Sequence, residues 1–194
     1  MLVTLFILLI AGALILVGCQ ATRAGYESAP YQVVRASGKF AVRDYPALRV
    51  VETPLAHAGK DADGSFTRLF RFITGANEGK QKIAMTTPVF MSGSNTNTTM
   101  AFVLPAKSKA DAVPKPSDAA VTVRELPAGR FAVLRFSGGR SAKHDAEALG
   151  RLRAWMQAEG LKELSPPVYG YFDPPWTPGF LRRNEVMLRT EGEK

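Results

Sequence analysis

The 194-residue sequence contains one cysteine and two histidines. A single cysteine excludes an intramolecular disulfide and any cysteine-based metal centre. With so few histidines and no spare thiol, few nucleophile–base pairs are available for covalent catalysis. The chain has no G-x-S-x-G elbow, no H-E-x-x-H and no phosphate-cradling glycine loop. Asp61, Asp63 and Glu78 are scattered near turns, where carboxylates are solvated rather than paired for acid–base work. Acids are outnumbered by bases, 17 to 25, which leaves a net charge of +8. That excess favours anionic partners. The basic residues are dispersed, however, and no nucleic-acid-binding motif is present, so nucleic acid is not an expected partner. These absences point to a protein that binds and does not catalyse.

One long apolar run is present. Met1 to Val17 carries no charge and ends in Leu16-Val17-Gly18-Cys19, at the short end of what spans a bilayer. The segment resembles a bacterial lipoprotein signal peptide, residues 1–19, closing on a lipobox. A small Gly18 would admit the peptidase, and the Cys19 thiol would carry the lipid. Several acyl chains anchor durably where one is marginal. No Lys or Arg precedes the apolar run, unlike ordinary secretory signals, so an uncleaved membrane anchor is the competing reading. Both readings hold the remainder at a membrane. Gln20, a residue other than Asp after the cysteine, implies by the same resemblance the periplasmic face of the outer membrane in a bacterial cell envelope.

Residues 20–37 read as a tether, opening with the small and polar "QATRAGYESAP". The body, 38–192, carries a repeat. Val42-Arg43-Asp44-Tyr45-Pro46-Ala47 aligns with Val123-Arg124-Glu125-Leu126-Pro127-Ala128, a shared V-R-acid-x-P-A followed by an apolar strand. Each copy then leads to a helix. Phe66, Leu69, Phe70 and Ile73 fall at i, i+3, i+4, i+7, with Ser65 or Asp63 to cap and Gly75 to end. In the second copy Leu149, Leu152 and Met156 share a face with Ala148 and Trp155 beside it, between Ser141 and Gly160. Two strand-like runs follow each helix, and "AKSKADAVPKPSD", 106–118, links the halves as an exposed loop. The expected fold is α+β: a distorted antiparallel β-barrel with two outer helices and a pseudo-twofold repeat of β-α-β-β, spanning about 38–105 and 119–190. "MTTPVF", 85–90, places Pro88 inside a strand-like run, so the strand must be bent or at an edge there.

"NEGKQKIAMTTPVF" resembles the signature of the SOUL haem-binding proteins. The resemblance extends to "VRDYPALRVVET" upstream and to the closing "YGYFDPPWTPGFLRRNEVMLR". It implies a distorted barrel built of two similar halves, and haem or a related tetrapyrrole as ligand. Haem needs an apolar slot and cations for its propionates. Phe66, Leu69, Phe70 and Ile73, with Met85 from the next strand, are candidates for the slot, and Arg68 and Arg71 for the carboxylates. The bland alternative is that this helix face simply packs into its own core.

One branch of the family carries a proposed histidine ligand where this chain has Asp44. His57 and His144 are more ordinary as solvated or core residues, and the methionines as core fillers. Haem here is therefore expected to be weakly or not axially ligated, and the partner to be haem or another apolar anionic small molecule. Arg182, Arg183 and Glu185 read as cross-strand charge pairs or as a carboxylate site. Trp176 reads as a turn buttress. Two other readings stay open: an envelope structural or interaction domain with a vestigial pocket, and a small-molecule sensor barrel. Mass spectrometry of the native N-terminus should show diacylglycerol on Cys19; an unmodified Met1 would exclude lipidation.

Overall fold

The structure is a computed structural model that describes residues 25–55, 64–93, 98–108 and 113–191. Cys19, the apolar run, His57, Asp61 and Asp63 lie outside the described residues. The V-R-acid-x-P-A segments do not form one strand each but two. Proline has no N–H to give a ladder, so Pro46 divides its run into β3 (Phe40–Tyr45) and β4 (Leu48–Pro54). Pro127 divides the second run into β8 (Thr122–Leu126) and β9 (Gly129–Phe136). Helix α1 (Ser65–Ile73) and strands β6 (Val89–Ser92) and β7 (Thr99–Val103) complete the first half. Helix α2 (Ala142–Ala158), β10 (Val168–Tyr171) and β11 (Asn184–Thr190) complete the second. Each half is thus β-β-α-β-β, one strand longer than the expected repeat.

The halves exchange their first strands. With β2 (Gln32–Ser37) at one edge, the nine-stranded sheet runs β2-β3-β9-β11-β10-β6-β7-β4-β8. Strand β3 of the first half therefore pairs with β9 of the second, and β8 of the second pairs with β4 of the first. Strands β6 and β10 meet at the middle, antiparallel, on the pseudo-twofold axis. The register obeys the repeat. Leu48 faces Leu126, Arg49 faces Glu125 and Val50 faces Arg124. In the other half Gly129 faces Tyr45, Arg130 faces Asp44 and Phe131 faces Arg43. The aligned motif thus predicts strand pairing position by position. The result is a curled, open antiparallel sheet, a half-barrel with two helices.

Side chains alternate across this sheet with period two. Val51, Met100 and Phe102 point to one face and pack against α1. Ala132, Leu134, Val186 and Leu188 point to the same face and pack against Leu152 and Met156 of α2. Val50, Phe90, Ala101, Val103, Val133 and Met187 point to the opposite, concave face and form a third cluster with Tyr45 and Leu48. The central strands are apolar on both faces because both faces are covered. Ser141 caps α2 by accepting from His144 N at 3.2 Å. Gly64, at φ 76°, occupies the N-cap of α1.

Two segments differ from the sequence-based expectation. Part of the stretch read as a tether belongs to the fold: β2 pairs with β3 through a turn at Gly38, φ 59°, and β1 (Glu27–Ser28) pairs in parallel with β5 (Thr86–Thr87). Strand β2 is mostly exposed on an edge, so it lacks the apolar alternation that would have announced it. The linker is also tied down at its end, where Glu78 N donates to Lys115 O at 3.0 Å and Asn77 bridges Pro116. Pro88 breaks its run as expected. It follows a cis peptide bond and separates β5 from β6, and Gly170 across the sheet makes room for its ring: a Cβ there would lie 3.3 Å from it.

The arginine of each motif reaches to a glutamate of the other half. Arg43 on β3 donates to Glu185 on β11 at 2.8 Å, with side-chain exposures of 9% and 1%. Arg124 on β8 pairs with Glu52 on β4 at 2.7 Å, nearer solvent. Burial opposes the Arg43 charge, but the Glu185 carboxylate outweighs it and raises the guanidinium pKa further. Arg183 also donates to Glu185, at 2.7 Å, so one Glu185 carboxylate is shared by two guanidinium groups. The arginines of the closing "RRNE" are therefore structural, with Arg182 donating to Thr177 O at 2.7 Å. Removing one partner of a buried pair costs about 3–5 kcal/mol, because the other is left uncompensated. Glu185→Ala should show a loss of that size in urea denaturation, and Arg43→Ala a smaller one because Arg183 remains. A loss below about 1 kcal/mol for Glu185→Ala would contradict the assignment.

Candidate functional site

Helix α1 carries two overlapping apolar stripes. Ser65, Leu69, Phe72 and Ile73 face the sheet and are buried. Phe66 and Phe70 lie on the next stripe round and are 39% and 45% exposed. The five candidate slot residues are therefore divided. Leu69 and Ile73 fill the core against Val51, Met100 and Phe102, so no slot lies beneath the helix; Phe72 competes for the sheet and turns the helix about its axis. Met85 is half-buried against the same cluster. Phe66 and Phe70 stack on each other outside, with centroids 5.9 Å apart and planes 14° apart. Phe66 is fixed from below, edge-on to Phe102 at 5.2 Å.

Cations flank this ridge. Arg68 Nε donates to Thr53 Oγ1 and Arg68 Nη2 to Pro54 O, each at 3.1 Å, which holds its guanidinium against the end of β4. Arg71 is exposed in the last turn of α1. Arg68, Arg71 and Phe72 line a hollow of about 190 Å³ that is closed by Pro116, Asp118 and Val121. A planar aromatic ring system can stack on the phenylalanine pair, and its carboxylates can reach arginine. The ridge thus offers an exposed aromatic face with two arginines on the same helix.

Asp44 and His144 are engaged elsewhere. Asp44 accepts both Arg130 Nε and Nη2, at 2.7 and 2.8 Å, and the hydrogen bond from Arg130 holds its carboxyl below the usual range. His144 Nδ1 lies 2.9 Å from Gly139 O. Trp176 is 80% exposed and buttresses nothing.

The concave face holds a feature that periodicity did not announce. A cavity of about 270 Å³ lies between the halves, walled by Tyr45, Leu48, Phe90, Phe131 and Met187 among others. Its walls are mostly apolar, and among the described residues Arg189 is the one charged lining residue. Burial, followed by the Glu185 charge, pushes the Tyr45 hydroxyl up to about 12. The only sequence signal is a mismatch between the aligned copies: Gly129 stands where the first copy has Leu48.

The sequence profile of SOUL heme-binding proteins matches residues 26–189. The chain belongs to this family. The match starts with β1, which agrees with a body that begins before residue 38. Human Heme-binding protein 2 is 29% identical over 168 residues, covering 80% of each chain. Among solved structures, the EcmrR C-terminal domain superposes with a TM-score of 0.58 at 15% identity, over 83% of this chain and 98% of that one. A hydrolase from Listeria innocua superposes at 0.60 with 10% identity, over 81% and 94%. At these identities the two structures establish a shared fold and nothing about chemistry.

Proposed function

We propose that this SOUL-family protein binds haem or a related tetrapyrrole on the outer ridge of α1. It does so as a lipid-anchored protein of the bacterial envelope, and performs no chemistry of its own. The observation that carries this reading is the exposed, stacked Phe66–Phe70 pair with Arg68 and Arg71 on the same helix. Phe66 packs edge-on against Phe102, yet the outer faces of both rings stay accessible although α1 already buries Leu69, Phe72 and Ile73. The pair would supply the stacking surface, and the arginines would neutralise the propionates. With Asp44 and His144 engaged, the ring would be held by stacking and charge rather than by an iron–histidine bond. Cys19 would hold the body at the membrane, so that the ligand is bound close to the lipid surface.

Titration with hemin, followed by its Soret band, should saturate at one equivalent. A Phe66→Asp/Phe70→Asp variant should lose the shift and keep the thermal midpoint to within a few degrees, because both rings are already half-exposed. Leu69→Ala should instead cost about 2–5 kcal/mol of stability, because it opens a cavity in the core. No saturable shift, or a shift unchanged in the double variant, would overturn the reading. It would favour an envelope interaction domain that uses the same ridge to meet another protein.

A further inference from the structure

The register that relates the two halves makes the concave cavity asymmetric in one specific way. Leu48 opposite Leu126 is replaced in the other half by Gly129 opposite Tyr45. Val50 opposite Val103 is replaced by Phe131 opposite Arg189. An apolar pair of side chains in the first half thus becomes a glycine and an arginine in the second.

The glycine and the arginine belong together. Gly129 does not have a left-handed backbone; its missing side chain leaves the space that the Arg189 guanidinium occupies. A Cβ at 129 would lie 2.7 Å from Arg189 Cζ and 2.8 Å from Nη2, well inside any real contact. Through that gap Arg189 lays its guanidinium along the cavity wall, 5.9 Å from the Phe131 ring centroid, and donates from Nη2 to Ala128 O at 2.7 Å. Among the described residues no carboxylate pairs with it. Three other arginines of the sheet meet an acid, Arg43 and Arg183 meeting Glu185 and Arg130 meeting Asp44, whereas half-buried Arg49, like Arg189, donates to a backbone carbonyl, Ser108 O at 2.8 Å. Arg189 instead faces an apolar space of about 270 Å³, roughly nine waters' worth at about 30 Å³ each. Exposed Pro127 and Pro166 stand at its rim.

We propose that this cavity is a second ligand site, distinct from the α1 ridge, that takes a single-chain apolar carboxylate of the medium-chain fatty-acid class. The chain lies against Leu48, Phe90, Phe131 and Met187, and the carboxylate meets the Arg189 guanidinium. Arginine binds carboxylate through paired N–H donors, and the half-buried Arg189 guanidinium at the wall of the apolar space can supply them. The cavity is below the usual range for enclosing a large ligand but suits one flexible chain. The site does not depend on the ridge, and either can fail without the other.

The test uses the full chain in its membrane and a photoactivatable decanoic acid carrying a diazirine on its chain. Label should appear on peptides containing Leu48, Phe131 or Met187. Excess decanoic acid should displace it, and decylamine should not. Arg189→Gln removes the charged donor and should weaken competition by decanoic acid about tenfold or more. Gly129→Leu refills the space that the first half fills with Leu48 and should abolish labelling. Phe66→Asp/Phe70→Asp should leave labelling unchanged. Absent label, equal displacement by decylamine, or undiminished labelling in folded Arg189→Gln protein would each overturn the proposal. If Gly129→Leu does not fold, Arg189→Gln alone decides.

Discussion

The structure depends on an exchange. Each half contributes its first strand to the other, β3 to β9 and β8 to β4, and each exchanged strand is fastened by an arginine–glutamate pair that crosses between halves. The three leading positions of the motif V-R-acid-x-P-A have separate tasks. Its valine is part of the alternating apolar face. Its arginine turns to the concave side and pairs with a glutamate of the other half. Its acid faces an arginine on the partner strand, Asp44 with Arg130 and Glu125 opposite Arg49. The proline then ends the strand, and the chain returns as the next one. A half with its leading strand taken away would leave an open ladder and a bare sheet face, which is the condition under which small β units fail to stand alone.

A sheet made this way has two faces with different fates. The outer face is covered by α1 and α2, whose buried side chains fill it completely: Leu69, Leu152 and Met156 are at most 2% exposed. The concave face is covered only by the curl of the sheet itself and by the segment around Ala29 and Tyr31. Space remains there because nothing is inserted into it. Apolar surface is therefore left accessible in two places: on the outer stripe of α1, where Phe66 and Phe70 are partly exposed, and at the cavity inside the curl where the halves meet.

Much of the fold was legible in the sequence. Six aligned positions gave the repeat and the symmetry, and the structure adds the register, in which the copies lie on strands that pair across the halves. The helices were legible from their periods and from caps such as Ser141 and Gly160. The division of strands at Pro46 and Pro127 was present in the same motif, but it shows only when proline's missing N–H is weighed against an unbroken apolar run. Strand β2 was hidden by its exposure. The candidate site was less legible. "SFTRLFRFI" offers two stripes about one residue apart, and only the packing of Phe72 decides which is buried. The concave cavity depends on one residue that departs from its aligned counterpart, Gly129 against Leu48, and a departure has meaning only once the register is known.

The most direct test of this account is native-state hydrogen exchange of the full chain. If the leading strands are exchanged, neither half can open alone. Amides of β3 and β8 that donate to the ladders should then exchange only by global unfolding, at the same free energy as amides of β4 and β9. Two separate opening free energies, one shared by β3 and β4 and the other by β8 and β9, would contradict the exchange and with it the cavity between the halves.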